Sequence, residues 1–291
     1  LSTAAIAALR SDQLAAFETR DLNAVTTAQV RVLSPSVISA LTTVQMPAAL
    51  NTAQIAALTT LQSSALTTAQ IVALSTAQAR VLSTAAVAAL SSNQLGAFET
   101  RDLNALTSAQ VRVLSSSGIL AMSTAQMPAA LTTAQIAALS SLQSPALSTD
   151  QVVALTTAQV RALSTAAVAA LSTDQIVAIE TQDLAALTTA QIKVLGSDDI
   201  QALTTAQVLA LTTAQVAALS TAQTAALNTE QLTVLIPGMS TAQIAKLSSD
   251  QVSGLSSDQI VALTTAQVRA LSTAAIAALN SDQINAFETR D

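Results

Sequence analysis

Along this chain an apolar residue closes every block of eight. In the stretch LTTAQIVALSTAQARVLSTAAVAAL (Leu66–Leu90) the order is hydroxyl, hydroxyl, Ala, Gln, aliphatic, variable, Ala, Leu, and then the phrase begins again. Residues 2–235 divide into 29 such octads, two of them one residue longer, and six more fill residues 240–287, for 35 in all. Position 1 is Ser, Thr or Asn in 30 of the 35, position 4 is Gln in 25 and Asp in four, and position 8 is apolar in every one. Position 5 is mainly Ile, Val or Leu, and position 7 is nearly always Ala.

A Ser or Thr followed three residues later by Gln, ahead of an apolar residue, is a capping box. The hydroxyl accepts from the backbone N–H at position 4, and the Gln side chain reaches back to the N–H at position 1. The preceding Leu and the aliphatic residue at position 5 have the spacing of a hydrophobic staple. The pattern therefore predicts a fresh helix of about six residues in each octad, followed by a bend.

One continuous helix does not fit. Eight residues advance it by about 800°, which leaves about 80° of rotation per repeat and no lasting apolar face. A heptad coiled coil fails for the same reason. A β-solenoid is the alternative, because Thr, Val and Ile favour strands. Against it stand the abundant Ala and Gln, the absence of clean alternation at positions 5, 7 and 8, and the scarcity of Gly, with five residues. The expected fold is all-α: a solenoid or superhelix of very short capped helices.

Helices this short do not stand alone in water, so neighbouring octads must stack cooperatively, as in other solenoids. The small residue at position 7 is expected to let backbones approach closely, and Lys246, the charged exception there, to mark an exposed turn.

A longer period overlies the octads. ETRDLNAV at 18–25 returns as ETRDLNAL at 99–106 and ETQDLAAL at 180–187, and ETRD returns at 288–291. These spacings define super-repeats at 2–82, 83–163 and 164–271 and a partial one at 272–291, within one continuous array; they share a factor of 27 residues. Pro35 falls at a first helical position, where its missing N–H costs nothing. Pro47, Pro128 and Pro145 follow position 5 and are expected to end their helices early. Ile236-Pro237-Gly238-Met239 breaks the octad phase and is the candidate break or hinge.

Composition narrows the function. Aromatics are 1%, represented by Phe17, Phe98 and Phe287, so the core is built from Leu, Ile, Val and Ala. With neither His nor Cys, no Ser–His or Cys–His nucleophile can be assembled, zinc lacks its usual ligands and disulfides are excluded. No phosphate-cradling glycine loop occurs. Polar residues interrupt every apolar run, which argues against membrane insertion, and the net charge of −6 argues against a nucleic-acid partner. No targeting segment is visible. The chain begins and ends inside the repeat phrase, as a portion of a longer array would.

Three polar features are candidates for chemistry. In the ETRD clusters (Glu18, Arg20, Asp21; Glu99, Arg101, Asp102; Glu180, Asp183; Glu288, Arg290, Asp291) the Asp is expected to act as capping partner, with Glu and Arg as a surface ion pair. Asp at position 3 (Asp12, Asp150, Asp174, Asp198, Asp250, Asp258, Asp282) suits the positive end of a helix better than a calcium ladder, which requires six to eight converging oxygens; the same holds for the pair Asp198–Asp199. Arg31, Arg80, Arg112, Arg161, Lys193 and Arg269 at position 6 could form a recognition row along one edge. No catalytic, cofactor-binding or metal-binding residue is assigned, and no enzyme activity is expected.

The phrase ALTTAQIVALSTAQ resembles Thr/Ala/Gln-rich tandem arrays in giant bacterial cell-surface or secreted proteins, adhesin-like and RTX-type among them. The resemblance runs over nearly the whole chain and implies an extracellular stalk, fibre or filament segment. The Gly- and Asp-rich calcium nonapeptide of RTX proteins is absent. The expected function is structural, with self-association of repeats end to end. The alternative is an extended binding module for a surface or matrix ligand, or an ice-binding face if the fold were a β-solenoid.

Overall fold

The computed structural model describes residues 1–288, the Glu288 side chain excepted. The chain is all-α and solenoid-like, 66% helical, and no strand occurs among the described residues. Among those residues there are 34 short helices, from four residues (Thr133–Ile136) to eight (Ser281–Glu288), and two 3₁₀ turns. The β-solenoid alternative falls, and the ice-binding reading that depended on it falls too.

One octad shows why the chain folds this way. Thr67 is extended (φ −74°, ψ 156°), and its Oγ1 accepts from Gln70 N at 3.1 Å. Gln70 Oε1 accepts from Thr67 N at 2.9 Å, which completes the capping box. The helix Thr68–Ala73 follows, and Leu74 returns to extended geometry (φ −60°, ψ 138°), redirecting the chain into the next box at Ser75. Cap and exit thus recur at the sequence period, and five or six residues is the usual helix length.

The fold comprises two compact units, Leu1–Leu155 and Thr156–Asp291. In the first, helices pack on those three octads later: Thr52–Ala56 on Thr76–Val81, and Thr76–Val81 on Thr100–Ala105. The second repeats the rule, with Thr157–Ala162 on Thr181–Ala186 and Thr205–Ala210 on Thr229–Leu235.

The core is narrow. Positions 5 and 8 lie three apart on one helix face, and both are buried, as at Ile55 and Leu58 or Ile71 and Leu74. Each such side chain contributes about 1.5–3 kcal/mol by leaving water. Position 4 shares this face with position 8, four residues on, so its Gln is drawn inward as well: Gln54, Gln62 and Gln70 are each 1% exposed. Position 7 sits about 100° round from position 8, and its burial varies: Val32 and Val113 are partly exposed, whereas Ala57 and Ala138 are buried. A Cβ on Gly254, at the same position, would lie 2.8 Å from Thr229 Oγ1, so a small residue there allows close approach at some octads and not at all of them. Lys246 does lie in an exposed turn.

The irregular sites keep the pattern. Pro35 is the first residue of its helix, Pro35–Ser39. Pro47 and Pro128 do not end helices, as the sequence led one to expect; they lie inside Gln45–Ala49 and Gln126–Ala130. These helices begin at position 4, so each proline nitrogen falls in the first turn, where no N–H is needed, and the ninth residue of the octad restores the phase. Pro145 sits in the tighter 3₁₀ turn Ser144–Ala146. Ile236–Gly238 is also 3₁₀, with Ile236 and Met239 buried like positions 5 and 8. IPGM is thus an octad reduced to its second half.

Candidate functional site: a glutamine ladder between turns

Each buried Gln does more than cap its own helix. Gln70 Nε2 donates to the carbonyls of Ile38 at 2.9 Å and Leu41 at 2.7 Å, which are positions 5 and 8 of the octad four earlier. Gln62 does the same to Val30 and Leu33 at 2.7 and 2.8 Å, and Gln78 to Met46 and Leu50 at 2.8 and 2.6 Å. In the second unit Gln215 reaches Leu184 and Leu187 at 2.9 and 2.7 Å, and Gln231 reaches Ile200 and Leu203 at 2.9 and 2.8 Å. One amide therefore joins an N-cap in its own turn to two C-terminal carbonyls in the turn before.

These are the groups a short helix leaves unpaired at its ends. With helices stacked three octads apart and amides reaching four octads back, each turn contains between three and four octads. The hydrogen bonds span 28 to 32 residues over regular octads and shorten to 24 to 27 where they cross Ile236–Gly238; the stacked helices are 24 residues apart, from Thr52 to Thr76, and the 27-residue common factor of the super-repeats lies inside that range. The ladder also runs through the truncated octad. Gln243 donates to Val216 and Leu219, and Gln267 to Ile236 and Met239 at 3.2 and 2.8 Å.

Sequence reasoning assigned Gln to the cap alone. The missed signal is that position 4 never carries Glu. A capping box accepts Glu as readily as Gln, whereas only an amide supplies an acceptor to its own N-cap and donors to the preceding turn.

The structure sorts the other candidates. In the ETRD clusters the expected surface ion pairs are present: Arg20 Nε lies 3.2 Å from Glu18 and 3.5 Å from Asp21, and Arg101 lies 2.8 Å from Glu99. Exposed pairs of this kind contribute about 0–1 kcal/mol. In the third copy Gln182 Nε2 donates to Glu180 at 3.0 Å. The expected capping role of the aspartates is not seen, because Glu18, Glu99 and Glu180 are N-caps without a side-chain cap bond. Asp102 and Asp183 are instead buried, with Asp102 Oδ2 and Asp183 Oδ1 lacking any partner. Burial pushes the Asp102 carboxyl above the usual carboxylate range, against the opposing pull of the Thr76 hydroxyl and the Arg101 guanidinium. Arg290 and Asp291 of the fourth copy lie outside the described residues, as does the Glu288 side chain.

Asp12, Asp150, Asp174, Asp198, Asp250, Asp258 and Asp282 all lie in first turns of helices, where the backbone dipole favours them. Asp12 also pairs with Arg10 at 3.1 Å, and that hydrogen bond holds its carboxyl below the usual range. Asp199 accepts from Gly196 N and Thr173 Oγ1, both at 2.8 Å. Among the described residues no three acidic side chains converge in a geometry that could hold a metal ion.

The position 6 cations are exposed and make no ion pair among the described residues. They form no continuous row. Arg80 and Arg112 lie on adjacent turns, joined by the bond from Gln110 Nε2 to the Arg80 carbonyl at 3.2 Å. Arg161 and Lys193 are related in the same way through Gln191. An open depression of about 540 Å³ adjoins Phe98, Glu99, Arg101 and Gln126, and its guanidinium is already engaged by Glu99.

Short capped helices, an aliphatic spine and an amide ladder between turns define a helical tandem-repeat protein. The repeat itself is a known one. The ALTTAQ repeat matches residues 14–48, 48–76, 95–129, 129–157, 149–178, 176–213, 236–265 and 260–289, and the chain belongs to this family. Among curated proteins nothing matches the chain.

Proposed function

We propose that this repeat protein is a structural spacer that sets length and separation, and that it serves without catalysis as a stalk, fibre or filament segment at a bacterial cell surface or outside the cell. The ladder carries this reading. Its bonds run only from one turn to the turn before, a translational rule that adds octads without limit and closes nothing. At the first turn Gln13 Oε1 accepts from Arg10 N at 3.0 Å, while its Nε2 has no carbonyl beneath it, and Gln13 is exposed where its counterparts are buried. A preceding segment or a second copy would offer that amide the same pair of carbonyls. A contact of that kind between copies would be heterologous and would propagate as an open, head-to-tail array.

Sedimentation velocity and electron microscopy of the purified chain over a wide concentration range test this. Species that lengthen in steps of one chain with constant width are expected. Monomers at every concentration, or side-by-side dimers, overturn end-to-end assembly.

A second reading, an extended binding module, draws on the two exposed cation pairs, Arg80/Arg112 and Arg161/Lys193. Under it, retention on an anionic polysaccharide column is lost when all four are changed to Gln, with assembly unaffected.

A further inference from the structure

Asp102 occupies the ladder position, but it cannot do what Gln does. Its side chain is 0% exposed. Oδ1 accepts from Thr76 Oγ1 at 2.8 Å and lies 3.6 Å from Arg101 Nε. Oδ2 is buried without a partner. By the register of the ladder, Asp102 stands above Ile71 and Leu74 as Gln94 stands above Ser63 and Leu66. Leu74 therefore lacks the side-chain donor that its counterparts Leu33, Leu41, Leu66 and Leu82 receive at 2.7–2.8 Å. By that register a carboxylate oxygen and a main-chain carbonyl, both acceptors and both on buried residues, are left without a donor between two turns. Asp199 also replaces Gln, yet each of its oxygens has a donor. Asp183 also keeps a buried oxygen without a partner, whereas Asp21 is exposed, so the orphan accompanies burial and is not a general property of Asp at position 4.

We propose that Asp102 binds a proton in the folded array and, as a neutral carboxylic acid, donates from Oδ2 toward the Leu74 carbonyl, which makes this turn a joint that tightens in acid. The carboxyl is one methylene shorter than a Gln amide, and the proton removes the repulsion that keeps the two acceptors apart. The charged groups around it are Glu99 and Arg101 on its own segment and the exposed Arg80 on helix Thr76–Val81. Helix Gln126–Ala130, packed on the other side, carries none, and neither does Thr68–Ala73, the helix four octads earlier. Arg101 is held by Glu99 at 2.8 Å, closer than it comes to Asp102, so its pull on the carboxyl is outweighed by burial.

The sign follows from linkage. Burial raises the folded-state carboxyl above its ordinary 3.8, so the folded chain binds more protons than the unfolded chain between those two values. Stability gains as pH falls through the folded value and levels off near 3.8, the opposite of a salt-bridged Asp. The experiment compares the full chain with Asp102→Asn and Asp102→Gln. Hydrogen exchange, corrected for the intrinsic pH dependence of amide exchange, is followed over Ile71–Leu74 and Thr100–Ala105. The Asp102 carboxyl carbon is titrated by NMR and assigned by its loss in Asp102→Asn.

In the native chain protection is expected to rise on acidification and the carboxyl midpoint to lie above the ordinary carboxylate value. In Asp102→Asn protection stays flat, and in Asp102→Gln it is flat and highest. A carboxyl midpoint at or below the ordinary value, or a native protection profile parallel to that of Asp102→Asn, overturns the proposal.

Discussion

Removing one amide from the ladder is the sharpest test of what joins the turns. Gln70→Ala deletes three hydrogen bonds at once: to Thr67 N, to the Ile38 carbonyl and to the Leu41 carbonyl. The Ile38 carbonyl keeps the Leu41 N–H at 3.2 Å, so it is not orphaned. The Leu41 carbonyl loses its side-chain donor in a buried place, and the part-buried Thr67 N–H loses its acceptor. Each buried group left unpaired costs about 1–3 kcal/mol. The expected destabilisation is therefore about 2–6 kcal/mol, much more than the loss of a surface cap.

Repeat arrays need not unfold in one step, so a global melt would dilute the effect and native-state hydrogen exchange is the better assay. Since about 1.4 kcal/mol is a tenfold change, amides of Val37–Leu41 and Thr68–Ala73 should exchange about a hundredfold faster. Val72→Ala, on the exposed face of the same helix, should change exchange by no more than about threefold, corresponding to about 0.5 kcal/mol. If the two variants behave alike, the amide does not couple the turns, and the ladder is not what holds the solenoid together.

Other outcomes follow from the same geometry. Ala86 and Ser83 form an octad with a cap but no amide, so the carbonyls of Ile55 and Leu58 in the octad four earlier go without a ladder donor; Ala86→Gln should slow exchange across Ile55–Leu58. Thr67→Ala removes the hydroxyl that accepts from Gln70 N and should cost about 1 kcal/mol by chemical denaturation. Gly118→Ala should destabilise by about 1–3 kcal/mol despite the better helix propensity of Ala, because a Cβ there would lie 2.1 Å from the buried Leu95 Cδ1; a Leu95→Ala/Gly118→Ala double variant should show coupling in a thermodynamic cycle. Breaking the Arg10–Asp12 pair with Arg10→Gln should let the Asp12 carboxyl return toward its ordinary value, so that the small stabilisation present above that value and lost in acid disappears from an NMR titration.

Much of the local structure was legible in the amino-acid order, because capping is a local interaction. Ser or Thr three residues before Gln marks where most helices start, and short helices with extended residues between them follow. The spine at positions 5 and 8 could likewise be read from spacing. The 3₁₀ turns at Pro145 and Pro237 and the helices containing Pro47 and Pro128 were less legible, since an added or deleted residue shifts the helix start and with it the meaning of the proline. The ETRD aspartates misled for a related reason. Their neighbours in sequence describe a cap, and the burial of Asp102 and Asp183 comes from octads a full turn away.

What the sequence determined by itself is the module: the capped helix, its length, its apolar face and the absence of groups that could build a familiar nucleophile or zinc site. What the tertiary structure decided is how modules meet. Helices stack at three octads, amides reach back four, and a Gln that looks like a private cap proves to be shared between turns. The physical reason is the geometry of the amide. One oxygen serves the chain that carries it, and the nitrogen faces outward to whatever backbone the winding brings past, which no local pattern reveals.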